Sequence, residues 1–340
     1  MTRALIILAS FVVILAGIKA ASSLVVPFLL AIFLAIVLAP PFVAMQKRGI
    51  PNSVVLVVMV IGLGTFGVLA VTVMKSSLDQ FTSSLPAYEI DLRNKLEALF
   101  ATLAGYGIEM PKGLITDSLD PQSAMKYAGN LARALSVLIG QSFIILIIVI
   151  FMLMEATVLE RKLHAIPNIR KETIAALEQN FLDVRRYVSL KSVMSLLTGF
   201  LVGIWLWWMD VDNILFMAVL AFFLNFVPNI GSIIAAIPGV LLAFIQFGPS
   251  TAAIVAGGYI VINVGISNAI EPRFMGRGLG ISPLVIIISL IFWGWLIGPV
   301  GMLLSVPLTM AMKILLEQDE KTRYIATFLG PRPEEKTNSD

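Results

Sequence analysis

Residues 4–45 form an almost unbroken apolar run, ALIILASFVVILAGIKAASSLVVPFLLAIFLAIVLAPPFVAM, in which Lys19 is the one charged side chain. A single helix of this length would extend about 63 Å, twice what is needed to cross the roughly 30 Å hydrocarbon core of a bilayer. The polar stretch 19–23, followed by Pro27, favours a break. We therefore predict two membrane-spanning helices, at 4–20 and 24–45. A signal peptide over the first run is less favoured, because Lys19 would sit badly at a cleavage site.

The composition of the whole chain excludes an ordinary soluble fold. Of 340 residues, 58% are hydrophobic and only 13% are charged, whereas about a quarter of a soluble domain is charged. The chain has no Cys, and His164 is its single His, which excludes disulfides, thiolate chemistry and a His-based zinc site. No phosphate-binding Gly-Lys-Ser/Thr loop is present. We predict no enzyme, no metal, no cofactor and no nucleic-acid partner.

Two long apolar blocks, 214–247 and 282–314, are each too long for one helix and too short for two full spans with a loop. Gly and Pro interrupt both near the middle, at 227–231 and 298–301. We predict two broken helical hairpins, either re-entrant or fully spanning. The fold class is then an all-α polytopic membrane protein with about eight spans, plus a small helical extracytoplasmic domain. The remaining spans are predicted at 53–74, 135–154, 193–209 and 252–270.

The distribution of Lys and Arg predicts the orientation. Alternate loops assign 17 basic residues to one side of the membrane and seven to the other, so the first side is expected to be cytoplasmic and to hold both termini. The predicted domains are N-terminal transmembrane helices (1–74), an extracytoplasmic helical domain (75–134), a transmembrane transport core (135–316) with a cytoplasmic amphipathic loop (155–192), and a cytoplasmic tail (317–340).

Amide and hydroxyl side chains in apolar sequence are the candidate substrate path. An unsatisfied amide in hydrocarbon costs several kcal/mol, so each must face protein, water or substrate. Hydrogen bonding between helices is the alternative for any one of them. In the first hairpin, the helix start near Ser232 is expected to offer unpaired N–H groups to a ligand. The candidates, with the residues of the two turns, are Asn225, Pro228, Asn229, Gly231, Ser232, Asn263, Asn268, Gly298, Pro299 and Gly301.

Charged residues near the predicted spans give only weak evidence for ion coupling. Glu271, Arg273 and Arg277 would form a gate or a simple interfacial ion pair. Asp210 and Asp212 fall in a short external turn, where a solvated loop is the simpler interpretation. No carboxylate falls clearly in the middle of a span, which weakens a cation–proton antiporter without excluding it.

The two hairpins resemble each other. Residues 228–238 can be laid on 298–307, since both runs give a Gly, an apolar half-helix, a small residue and then a Pro. The predicted topology brings them into the membrane from opposite sides, as in the inverted repeats of secondary transporters. Chance similarity between two Gly/Pro-rich segments is the alternative.

Three stretches carry a resemblance to a known family. They are NFVPNIGS (225–232), EPRFMGRGLGISPL (271–284) and FWGWLIGPVGMLLSVP (292–307), and they resemble the autoinducer-2 exporter family of bacterial membrane proteins. The resemblance covers nearly the whole chain. It implies about eight spans, the bacterial inner membrane and a homo-oligomer such as a pentamer. It implies no settled set of substrate-binding residues.

The function that we expect is that of an inner-membrane secondary transporter or facilitator. The resemblance implies export of a small polar signal molecule, autoinducer-2, with the lipid bilayer as the other partner. Because the family also includes sodium(lithium)–proton antiporters, that activity is the alternative. A membrane scaffold without transport is the second alternative, and the broken helices weigh against it.

Overall fold

The computed structural model describes residues 2–105, 121–164, 171–228, 230–275, 280–318 and 322–330. Within these ranges the regular structure is helical throughout. The helices are α1 (Thr2–Ala20), α2 (Ser22–Lys47), α3 (Asn52–Gly105), α4 (Pro121–Gly140), α5 (Ser142–His164), α6 (Lys171–Trp208), α7 (Ile214–Leu224), α8 (Ile230–Phe247), α9 (Pro249–Val264), a π-helical turn (Gly265–Ile270), α10 (Glu271–Met275), α11 (Pro283–Ile297), α12 (Pro299–Gln318) and α13 (Arg323–Leu329).

Length and composition mark most of these helices as membrane-spanning. Six described helices are long and apolar enough to cross a bilayer, and a seventh span results if the bent pair α4 and α5 is counted once. Three shorter apolar helices, at Ala9–Ala20, Ile214–Leu224 and Pro283–Ile297, accompany them. The prediction of an all-α polytopic membrane protein is confirmed.

The predicted breaks in the long apolar runs are confirmed. The first run breaks at Ala21, between α1 and α2. The first hairpin breaks after Leu224, and the second breaks at Gly298. At each break, Gly, Pro or a small residue interrupts the run, and such residues are poor at continuing a helix.

Three predicted spans have different limits in the structure. Helix α3 continues past residue 74 to Gly105, because an apolar stripe at helical spacing carries on through Leu78, Phe81 and Leu92. The predicted span 135–154 is not one helix, since α4 ends at Gly140 and α5 begins at Ser142. The predicted span 193–209 is the second half of α6, which begins at Lys171.

The chain divides into two compact units, and the divisions fall within or beside helices. Unit 1 holds residues 1–63, 143–192 and 272–340, and unit 2 holds 64–142 and 193–271. In unit 1 the helices α11 and α12 form a hairpin that packs along α2, and α11 also packs along α1. The ammonium of Lys19 lies 4.2 Å from the ring centre of Trp295, so the end of α1 lies beside the tip of this hairpin.

Unit 2 is built around the hairpin of α7 and α8. Phe81 of α3 stacks on Phe216 of α7 with 4.3 Å between ring centres. In a second, smaller cluster of the same unit, Leu92 of α3 and Met125 of α4 pack with Ile245 of α8. The buried core that holds the unit together comprises Leu78, Phe81, Ala128, Ala132, Leu135, Val202, Leu206, Val211, Phe216, Met217, Leu220, Ala221, Ala235, Leu242, Ala243, Ala252, Val255 and Tyr259.

Candidate functional site

The start of α7 and the end of α8, which form the open end of the first hairpin opposite its tip, lie close together. The backbone N–H of Asp212, just before α7, donates to Oε1 of Gln246 at 3.2 Å, and the Gln246 amide donates in return to the Asp212 carboxylate. Next to them, the Asn213 amide donates to the Tyr88 hydroxyl of α3 at 3.2 Å. These bonds join the start of α7 to the end of α8 and to α3.

The tip of this hairpin carries a buried polar pair. Asn225 follows the last residue of α7, is only 6% exposed, and its amide nitrogen donates to Oγ of Ser195 at 3.0 Å. Ser195 is fully buried and lies in Leu182–Trp208, the part of α6 that is a candidate membrane span by length and composition. An amide and a hydroxyl are therefore paired within a candidate membrane span, where polar side chains are rare and commonly functional.

Close backbone contact around the tip requires glycine at two positions. A Cβ on Gly231 would overlap the carbonyl oxygen of Leu224 and lie 2.9 Å from Cβ of Val227. A Cβ on Gly199 of α6 would lie 2.7 Å from the carbonyl oxygen of Ala218 on α7. Through these contacts the start of α8 packs closely on the end of α7, and α7 packs closely on α6.

The helix start at the tip differs from the expectation of free N–H groups near Ser232. Helix α8 begins at Ile230, whose N–H donates to the carbonyl of Pro228 at 2.6 Å. The N–H of Gly231 donates to the carbonyl of Val227 at 3.2 Å. The tight turn thus engages the first two N–H groups of α8, and they are not available to a ligand in this conformation.

The second hairpin, in unit 1, repeats the glycine contact. Gly298 has a φ of +74°, a conformation that favours glycine, and the exposed Pro299 begins α12. A Cβ on Gly301 would overlap the carbonyl oxygen of Trp293, much as Gly231 is placed against Leu224. The two turns therefore share a glycine that packs on a carbonyl of the preceding helix, which supports the similarity seen between their sequences.

Other predicted path residues have local partners or lie at the surface. The Asn263 amide nitrogen donates to the backbone carbonyl of Tyr259 on its own helix at 2.8 Å, while its oxygen is buried without a hydrogen bond. Asn268 is exposed in the π-helical turn. Pro228 and Ser232 are half-buried beside the first tip. Asn229 lies outside the described residues.

The predicted gate and the external carboxylates occupy helix ends and a loop. Glu271 is half-buried at the start of α10, and Arg273 is exposed two residues later. Arg277 lies outside the described residues. Asp210 and Asp212 are exposed in the loop between α6 and α7, in agreement with the solvated interpretation. The pairing of Glu271 with an arginine stays a prediction.

Ser195 was missed by the sequence analysis. The predicted span 193–209 contains Ser195, but only amides and hydroxyls near the broken hairpins were selected as candidates. Helix α6 begins earlier than that span, at Lys171, and Lys191 just before the span is 7% exposed. A signal was available, because Ser192, Ser195 and Thr198 repeat at helical spacing in apolar sequence. The side chain that would meet them on another helix could not be read from that spacing.

Comparison with known proteins agrees with this architecture. The family model described as AI-2E family transporter matches residues 8–320. The chain belongs to the AI-2E transporter family. The AI-2 transport protein TqsA of Escherichia coli K12 is 38% identical over 328 residues, covering 96% of this chain and 95% of TqsA. A putative transport protein of Haemophilus influenzae is 37% identical over 334 residues, covering 96% of each chain.

A more distant relative carries a different activity. The sodium-lithium/proton antiporter of Halobacillus andaensis is 25% identical over 315 residues, covering 84% of this chain and 87% of the antiporter. The predicted family resemblance is confirmed. This AI-2E family member is a multi-pass transporter of the bacterial inner membrane that carries a small molecule, and its relatives are transport proteins rather than enzymes.

Proposed function

We propose that this AI-2E transporter exports a small polar signal molecule of the autoinducer-2 type through a site at the tip of the first hairpin. The observation that carries the proposal is the buried hydrogen bond between Asn225 and Ser195, which lies in the candidate membrane span Leu182–Trp208 of α6. Irregular backbone at membrane depth is tolerated where it is buried in protein or lines a cavity, and transporters place substrate sites at such breaks. The relative TqsA, an AI-2 transport protein, supports the choice of substrate.

The chemistry of the pair suits a polyhydroxylated ligand. A primary amide has two N–H donors and two acceptor positions, and the bond to Ser195 occupies one donor of Asn225. The hydroxyl of Ser195 can rotate to donate or to accept. Neither group carries a charge, so the site would bind hydroxyl groups by hydrogen bonding. Asn229, Ser232 and the Gly231 turn would complete it.

We further propose that the first hairpin is re-entrant. Helix α7 has 11 residues and extends about 16 Å, half of the hydrocarbon core, so it is too short to cross by itself, whereas the 18-residue α8 is long enough to cross. The bonds between Asp212 and Gln246 bring both ends of the hairpin together. In the second hairpin, Trp295 near the tip lies against Lys19, the penultimate residue of α1. Alternate opening of the two hairpins would expose the site first to one side and then to the other.

The orientation is tested by labelling, because the chain has no Cys. In intact cells a membrane-impermeant maleimide is expected to label Ser83→Cys, an exposed position on α3. Arg323→Cys, exposed on α13, is expected to react only after permeabilisation and serves as the matched control. The reverse pattern would contradict the proposed topology, in which both termini are cytoplasmic and residues 75–134 are external.

Transport itself is measured with the purified protein in proteoliposomes. Labelled autoinducer-2 is expected to equilibrate across these membranes faster than across protein-free liposomes. The flux is measured with and without an imposed proton or sodium gradient, which reports the energy coupling. Equal rates in both preparations would contradict the proposed substrate, and a parallel size measurement in detergent tests the homo-oligomer that the family implies.

A cation–proton antiporter is the second candidate function, favoured by the antiporter relative from Halobacillus andaensis. The carboxylates that it would use are Asp210, Asp212 and Glu271. If Asp210→Asn abolished the flux and its sodium or proton dependence together, the antiporter would replace the proposed exporter. A chain that moves neither autoinducer-2 nor cations would favour the scaffold.

A further inference from the structure

The last described helix presents an aromatic face away from its unit. In α13, Ala326 is 1% exposed and turns toward the protein. Tyr324 and Phe328, two residues to either side, are 63% and 82% exposed. Because successive helical residues are about 100° apart, both aromatic side chains lie on the face opposite Ala326.

Hydrogen bonds fix both ends of α13 to the open end of the second hairpin. The N–H of Ser282, which caps the start of α11, donates to the carbonyl of Leu329 at 3.0 Å. Before α13, the Thr322 hydroxyl donates to the carbonyl of Leu316 near the end of α12 at 2.8 Å. Helix α13 therefore lies across the place where α11 begins and α12 ends.

A side chain of α12 also makes polar contacts at the open end of the second hairpin. The Lys313 ammonium donates to the carbonyl of Gly280 at 2.7 Å and pairs with Glu317 at 3.4 Å. Charged side chains and backbone turns gather where a spanning hairpin leaves the hydrocarbon core. Helix α12 is a membrane-spanning candidate that ends at Gln318, and α13 starts only five residues beyond it.

We propose that α13 is an interfacial anchor that inserts Tyr324 and Phe328 between the lipid headgroups and the acyl chains. Aromatic side chains concentrate at this boundary, and a surface helix binds there through its apolar face. The exposed Arg323 beside them would reach the lipid phosphates. The anchor would keep the open end of the second hairpin at a fixed depth while its tip moves.

A lipid surface fits this face better than a second copy of the chain does. Aromatic side chains bury about 150–250 Å² each. A stable protein interface buries about 800 Å² on each partner. The two aromatic residues of a seven-residue helix therefore supply only part of a protein interface, yet they match the shallow insertion of an interfacial helix.

The test uses the full-length protein in nanodiscs, with an environment-sensitive fluorophore on a single cysteine. Phe328→Cys is expected to give blue-shifted emission and at least about twofold stronger quenching by nitroxide-labelled lipid than Thr327→Cys does. Thr327 is the matched control, because it is exposed on the same helix but about 100° away from Phe328. Iodide in the buffer is expected to quench the two labels in the opposite order.

Two results would overturn the anchor. One is stronger iodide than lipid quenching at Phe328→Cys, which would place the face in water. The other is efficient disulfide-linked dimer formation by unlabelled Phe328→Cys, which would show that a second copy covers it. Amide hydrogen exchange of Phe328→Ser in nanodiscs checks the proposal without a label. Faster exchange across α13 than in the unsubstituted protein supports it, and unchanged exchange contradicts it.

Discussion

Replacing Gly231 with valine is expected to abolish transport and to remove most of the folded protein from the membrane. The new side chain would overlap the carbonyl oxygen of Leu224, which is backbone and cannot rotate away. The turn must therefore open. We expect destabilisation at or above the upper end of the about 1–3 kcal/mol that overpacking usually costs. Thermal unfolding in detergent and flux in proteoliposomes measure the two effects.

Gly257→Val is the matched control for this prediction. Gly257 lies in α9 of the same unit, and a Cβ there would have no neighbour within 4 Å. Its melting temperature and flux are expected to stay near those of the unsubstituted protein. Gly301→Val is expected to behave like Gly231→Val, because its Cβ would overlap the carbonyl of Trp293. A stable, active Gly231→Val would contradict the geometry of the first tip.

Ser195→Ala is expected to lower both stability and transport, since it leaves the buried amide of Asn225 without its partner. A buried polar group without a partner costs about 1–3 kcal/mol, which corresponds to roughly a 5- to 150-fold change in an equilibrium constant. The double variant Ser195→Ala/Asn225→Leu removes both polar groups and replaces the amide with a side chain of similar size. Its stability is expected to recover while transport stays lost.

This double variant separates a substrate site from a purely structural hydrogen bond. If the pair only joined α6 to α7, transport would recover together with stability. Ser289→Ala is the matched control, because its buried hydroxyl donates to the carbonyl of Ile286 in its own helix. Its flux is expected to be unchanged. Recovery of full flux by the double variant would contradict the proposed site and leave the hairpin architecture intact.

The sequence predicted the site only in part, and the reason is physical. Asn225 was found because an amide in an apolar run must have a partner, and that argument needs no coordinates. Its partner, Ser195, lies 30 residues earlier on another helix. The spacing of α6 marks a polar face but does not say which helix meets it. Asn263 shows the opposite outcome, since the same argument selected it and its amide nitrogen donates to the carbonyl of Tyr259 within α9.

The boundaries of the helices were also predicted only in part. Gly and Pro predicted breaks at 227–231 and 298–301, because these residues interrupt a helix locally, and the structure has the breaks after Leu224 and at Gly298. The sequence predicted a span over 53–74, followed by a helical extracytoplasmic domain. In the structure α3 continues past residue 74 to Gly105, because Leu78, Phe81 and Leu92 find partners in α4, α7 and α8. Charge marks the limit of an apolar segment, whereas the limit of a helix depends on what it packs against.

The amino-acid sequence alone predicts a helical membrane transporter with two broken hairpins. Apolar length, the position of Gly and Pro, and the motifs of residues 225–232 and 292–307 are local properties, and lipid permits few structures that satisfy them. The three-dimensional packing shows what the sequence does not: Asn225 meets Ser195, Gly231 and Gly301 pack on backbone carbonyls, and α13 lies across the open end of the second hairpin. Contacts between distant segments depend on how the helices pack, and helical periodicity defines a face without naming its neighbour.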